Sequence, residues 1–93
     1  MADVTPESVL VPSEEVIPGE LPEETVLLSV ESGTAVRVNE TGAWLWSQLQ
    51  HTPRAGDLAE LLAKRHQIDP QRALADVARF AGDLAGRGFI DID

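Results

Sequence analysis

Without a cysteine anywhere in its 93 residues, the chain has no disulfide framework, no thiolate metal site, no iron–sulfur cluster of its own and no cysteine nucleophile. No run approaches the ~18 apolar residues of a membrane span. The N-terminus lacks the basic and apolar regions of a signal peptide, so the expectation is a soluble cytoplasmic protein. Phosphate loops and Gly-x-Gly-x-x-Gly fingerprints are missing. No serine stands in a nucleophile-elbow context. The two histidines, His51 and His66, have no cysteine or carboxylate at ligand spacing, so no metal site is expected. The carboxylates lie in linkers and on solvated faces rather than as a buried pair. These absences predict no catalytic site and no cofactor, and leave open a subunit that assists an enzyme.

Basic residues are missing from one part of the chain. The net charge is −9, and residues 1–36 carry half of the sixteen acids but none of the seven basic residues. Residues 37–93 are close to neutral. Such a chain is a poor candidate for nucleic acid, where affinity comes from neutralising phosphates. It suits a basic partner, or the charge serves solubility alone. A chain of 93 residues makes one small domain and buries only about 60–65% of its unfolded surface, so it must rely on a compact core or on a partner.

What is present divides into strands first and helices second. Residues 1–13 read as an arm, either flexible or an edge strand at Ser8-Val9-Leu10-Val11 between Pro6 and Pro12. Residues 14–93 read as one domain. Glu15-Val16-Ile17 is a short strand candidate, and Pro18 after it favours an edge position. Gly19 to Glu24 reads as a linker or wide turn. Thr25 to Glu31 is rich in β-branched residues and is the best strand. Ser32-Gly33 is a two-residue hairpin signal, and Thr34 to Val38 returns as the partner strand. Val36 and Val38 share one face of it; Ala35 and Arg37 share the other.

Asn39 then caps a helix, with Glu40 favourably placed in its first turn. Ala43, Leu45, Trp46 and Leu49 form the apolar stripe. Gly42 costs helix stability and implies a close approach. Trp44 falls off the stripe, and is either partly buried against the N-terminal strands or a contact for a partner protein. Thr52-Pro53 predicts the start of a second helix with Leu58, Leu61 and Leu62 on one side, ending near His66. Asp69-Pro70 starts a third, which ends near Arg87 with Gly88 as its stop. Phe89-Ile90 closes the chain over the core.

The third helix has three faces. Ala73, Val77, Phe80 and Leu84 form the core face, flanked by Leu74 and Ala81. Arg72, Asp76, Arg79, Asp83 and Arg87 make a ladder of alternating charge. That ladder is either a solvated face with intrahelical pairs or the wall of a peptide groove. Ala75, Ala78, Gly82 and Ala85 form a flank of small residues that another backbone can approach.

One set of residues carries a resemblance. It comprises Leu27-Leu28, Glu31-Ser32-Gly33, Val38-Asn39-Glu40-Thr41-Gly42-Ala43 with Leu45-Trp46, and Asp69-Pro70. Then come Ala73, Asp76-Val77, Phe80, Leu84 and Gly88-Phe89-Ile90. In this order, over about two-thirds of the chain, they resemble the PqqD-like family, also called the RiPP recognition element. The resemblance implies an α+β, winged-helix-like fold, with a three-stranded antiparallel N-terminal sheet followed by three helices. It implies a non-catalytic protein that binds the leader segment of a ribosomally made precursor peptide. The leader is then presented to a modifying enzyme: a leader peptidase, a cyclase or a radical-SAM enzyme. Members serve pyrroloquinoline quinone and lasso-peptide pathways, and Glu31 to Gly42 looks more like the lasso-type and generic members.

The leader is expected to add as a strand beside Thr34, Ala35, Val36, Arg37 and Val38, in a cleft walled by Asp76, Arg79, Phe80 and Asp83. β-Addition draws affinity from unpaired backbone groups and specificity from side-chain pockets. Many relatives carry an aromatic residue on this strand where Ala35-Val36 stands here. An open edge also admits pairing with a second copy of the chain. The competing expectation is a winged-helix protein-interaction or DNA-binding regulator, which would want a basic recognition helix. An acyl carrier protein would want an Asp-Ser pair at a helix start, and none exists.

Overall fold

The computed structural model describes residues 4–14, 16–21, 24–30 and 33–93. Among these residues five strands and three helices run in the order β1 (Leu10–Pro12), β2 (Val16–Leu21), β3 (Glu24–Ser29), β4 (Thr34–Val38), α1 (Glu40–Leu49), α2 (Ala55–His66), α3 (Pro70–Gly86) and β5 (Ile90–Ile92). β2, β3 and β4 form an antiparallel sheet in that spatial order, and β1 pairs antiparallel with β5 in a second sheet. The core gathers Leu10, Leu27, Leu45, Trp46, Leu49, Leu58, Leu62, Val77, Leu84, Phe89 and Ile90 from both sheets and all three helices. Among the described residues no helix is long and apolar enough to cross a membrane, and no group of His, Asp or Glu is placed to hold a metal ion.

Local chemistry explains where α1 and α3 begin and where α3 ends. Asn39 Oδ1 accepts the Gly42 N–H at 2.7 Å, filling one of the donors a helix start leaves open. Asp69 Oδ2 accepts the Gln71 N–H at 3.1 Å, with Pro70 in the first helical position. At the far end of α3, Gly88 takes φ +80°. The Phe89 N–H returns to the Leu84 carbonyl at 2.9 Å and the Gly88 N–H to Ala85 at 3.1 Å. This is a Schellman closure, with buried Phe89 beside buried Leu84.

Several expectations need correction. α2 does not start at Thr52-Pro53. Its first residue is Ala55, and Arg54 holds the cap position without a side-chain bond. The cause is the N-terminal segment, which takes over that corner. The Leu10 N–H donates to the Pro53 carbonyl at 2.8 Å, and Val9 bridges Arg54. The first two N–H groups of α2, on Ala55 and Gly56, donate to the carbonyls of Ser8 and Pro6. The helix is therefore capped by backbone from a distant part of the chain. Leu10 is wholly buried, and residues 10–12 take the strand alternative offered for the arm. Its pairing partner is the chain's C-terminal end: Phe89 and Ile90 are buried over the core as expected, and Ile90 also begins a strand.

Gly19 to Leu21 belongs to β2 and not to a linker; Glu15 lies outside the described residues. Pro18 is tolerated because β2 is an outer strand of its sheet. The hairpin between β3 and β4 is longer than two residues. Ser29 pairs with Thr34, leaving residues 30–33 for the connection; Ser32 lies outside the described residues. Gly33 sits there at φ +67°, its N–H bonded to the Ser29 carbonyl. The register differs from a two-residue hairpin by an even number of positions, so every side chain keeps its expected face. Finally, α3 is rolled relative to the expected core face. Ala81 is buried with Ala73, Val77 and Leu84, whereas Phe80 is only half-buried.

Candidate peptide-binding groove

Strand β4 pairs with β3 along one side only; among the described residues no strand lies along its other edge. It ends at Val38, and α1 starts two residues later. So abrupt a change of direction needs a close approach, and Gly42 provides it. A Cβ on Gly42 would stand 3.2 Å from both Val38 Cβ and Asn39 Oδ1. Glycine lets the strand end lie against the first turn of the helix it feeds.

A groove of about 620 Å³ opens at this junction. Arg37 and Val38 line it from the strand, and Asn39, Thr41, Gly42 and Leu45 from the turn into α1. Arg72, Asp76, Arg79, Phe80 and Asp83 form the facing wall on α3. Arg37 and Val38 point to opposite faces of the strand, yet both border the groove. The groove therefore follows the end and edge of β4 rather than one face of the sheet.

The electrostatics are mixed but ordered. Arg79 reaches Asp76 at 3.5 Å, and Arg87 Nε donates to Asp83 Oδ1 at 3.3 Å. The charge ladder is thus partly a set of intrahelical pairs, each worth a few tenths of a kcal/mol. Asp76 is the more sheltered member of its pair, with a third of its side chain exposed against four-fifths for Arg79. A smaller recess of about 140 Å³ continues past Thr41, Arg72 and Asp76 to Leu62, His66 and Ile68.

The structure brings together six of the nine residues expected to meet a peptide: Arg37, Val38, Asp76, Arg79, Phe80 and Asp83. Thr34, Ala35 and Val36 continue along β4 outside the groove lining. Thr34 and Ala35 are exposed, and Val36 is half-buried opposite Leu27. Phe80 lies part-way out of the core because α3 is rolled, which turns its ring toward the groove wall. Arg72 enters the site as part of the expected charge ladder, whereas Asn39, Thr41, Gly42 and Leu45 were not expected there. Gly42, a glycine in the first turn, was their one sequence signal. Trp44 lies away from the groove. It is half-buried against the core, with the Arg65 guanidinium 4.9 Å above its ring. Among the described residues the small flank of α3 meets nothing at Gly82, where an added Cβ would find open space.

Two solved structures share the fold, each at a TM-score of 0.79 and 22% identity. One is TbiB1 in complex with the TbiA(beta) leader peptide, matched over 87% of this chain and 94% of that one. The other is lasso peptide synthetase B1 complexed with the leader peptide, matched over 88% and 96%. No curated protein matches the chain. Residues 24–90, from β3 through the start of β5, match the family described as Coenzyme PQQ synthesis protein D (PqqD), and the chain belongs to that family.

Proposed function

We propose that this protein is a non-catalytic binder of the leader segment of a ribosomally made precursor peptide. The leader adds as a strand to the open edge of β4 and runs into the groove under α3. The observation that carries this reading is a strand edge with no partner strand among the described residues, leading into a walled groove at the β4–α1 junction. Backbone N–H and C=O groups along such an edge supply affinity whatever the peptide's sequence; the groove supplies selectivity. Both structural neighbours hold leader peptides, which supports the same reading for this member of the family.

The binding set is Thr34 to Val38 on the strand and Asp76, Arg79, Phe80 and Asp83 on the wall, to which the groove adds Asn39, Thr41 and Arg72. The bound leader presents its following segment to a modifying enzyme in the cytoplasm. We read the three helices with the β2–β4 sheet as a winged-helix-like arrangement put to peptide use. A DNA-binding use is disfavoured by the net charge of −9.

The test is a titration of fluorescently labelled leader peptides from precursor genes neighbouring this one, followed by anisotropy. Binding tighter than ~100 µM, about 5.5 kcal/mol, is expected for one of them. If none reaches that affinity, the proposal fails.

A further inference from the structure

The lining of the groove holds more basic than acidic side chains, in an acidic protein. Three arginines, Arg37, Arg72 and Arg79, line it against two aspartates, Asp76 and Asp83. Both aspartates already have arginine partners, Asp76 in Arg79 and Asp83 in Arg87. Arg72 differs from its neighbours on the ladder. It makes no ion pair or side-chain hydrogen bond among the described residues, and it is exposed on the first turns of α3. It also borders both the groove and the recess that opens from it. That recess is lined by Thr41, His66, Leu62 and Ile68 as well as by Arg72 and Asp76.

We propose that Arg72 is a specificity-determining residue that selects peptides carrying an aspartate or glutamate where the groove meets the recess. This rests on the peptide-binding reading above. The chemistry is direct. A guanidinium with no partner among the described residues offers a planar fork of donors matched to a carboxylate. The recess has room for about one side chain, and Asp76, the one carboxylate lining it among the described residues, is paired with Arg79. The overall negative charge does not cancel this preference, because charges more than ~8–10 Å away are largely screened at physiological ionic strength. Arg72 is exposed, so the selection is graded: a cognate carboxylate is worth about a 1.5- to 5-fold gain in affinity.

The experiment pans a phage-displayed library of random 12-residue peptides on the intact protein, on Arg72→Glu and on Arg54→Glu. Arg54 makes the same charge change away from the groove. Circular dichroism first establishes that the variants are folded, with Arg72→Ala as a milder second variant. The expected result is enrichment of Asp or Glu at one position among peptides selected by the wild type and by Arg54→Glu. That enrichment is lost with Arg72→Ala, and inverted to Lys or Arg with Arg72→Glu. Selected peptides without acidic enrichment, or with one that survives Arg72→Glu, overturn the role of Arg72 while leaving peptide binding intact. Failure of the wild type to select any peptide overturns the peptide-binding reading, and the Arg72 proposal with it.

Discussion

Replacing Gly56 by alanine tests how the N-terminal segment is tied to the body of the protein. Gly56 is the second residue of α2, and its N–H donates to the Pro6 carbonyl at 2.9 Å. A Cβ built there would stand 2.9 Å from that same oxygen and 3.1 Å from Pro6 Cβ. The obstacle is backbone, so the crossing segment must move. Alanine's helix preference favours the variant by at most ~1 kcal/mol, and by less in a first turn. Against it stand two backbone hydrogen bonds, Gly56 to Pro6 and Ala55 to Ser8, at ~1 kcal/mol each if lost. Leu10 is anchored by the same segment and wholly buried, and loosening it forfeits part of the ~1.5–3 kcal/mol of its burial. The balance predicts a net loss of about 1–2 kcal/mol, or a fall in Tm of roughly 4–15 °C for a domain of this size. Thermal melts followed by circular dichroism measure the shift, and hydrogen exchange at the amides of Val9 and Leu10 reports the segment itself. A variant that melts at or above the wild-type temperature, with those amides still protected, would refute the reasoning.

Other perturbations act nearer the groove. Asn39→Ala removes the acceptor of the Gly42 N–H and should cost about 1 kcal/mol, while Asn39→Asp keeps the cap; denaturant midpoints of the two variants check this. Phe80→Ala should destabilise by less than the ~3–5 kcal/mol of a fully buried phenylalanine, because the ring is only half-buried. Its larger effect should be on peptide affinity, and equal fractional losses in melting and titration would make Phe80 a core residue only. In an antiparallel strand, neighbouring residues alternate between pointing their N–H at the paired strand and at the open side. Proline at one of Val36 and Arg37 should therefore unfold the hairpin, while proline at the other leaves the fold and abolishes peptide binding. If both variants lose fold and binding together, the edge is structural.

Features set by neighbouring residues were legible in the sequence. Asn39, Asp69-Pro70 and Gly88 act within four or five positions of themselves, so residue type and spacing were enough. Features set by distant contacts were not legible. Nothing local says that Leu10–Pro12 pairs with Ile90–Ile92, or that this pairing claims the Pro53 carbonyl and delays α2 by two residues. The roll of α3 has the same origin. Helical periodicity places Phe80 and Ala81 on either side of one stripe, and only the packing of the other elements decides which is buried. For the groove, the charged wall was visible as a ladder on α3. Asn39, Thr41 and Leu45 were hidden because each also has a structural reading, as cap, first-turn residue or core.

That double use explains why the groove lies at the strand-to-helix junction. The chain's two ends pair with each other in their own small sheet, so no part of the described chain covers the second edge of β4. The same strand passes at once into a helix whose first turn is held tight by Asn39 and Gly42. The edge is therefore short, five residues, and its far end is enclosed by α1 and the charged wall of α3. Short edges bounded by charge are a common defence against sheet-to-sheet association. A strand arriving as part of another sheet brings its neighbours with it, and the walled end of β4 leaves little room for them. A single extended peptide carries no such burden, and it gains side-chain contacts at the walled end that a bare edge does not offer. In the proposed peptide-binding role, the enclosure that blunts the edge toward other sheets is the same feature that gives selectivity toward a peptide.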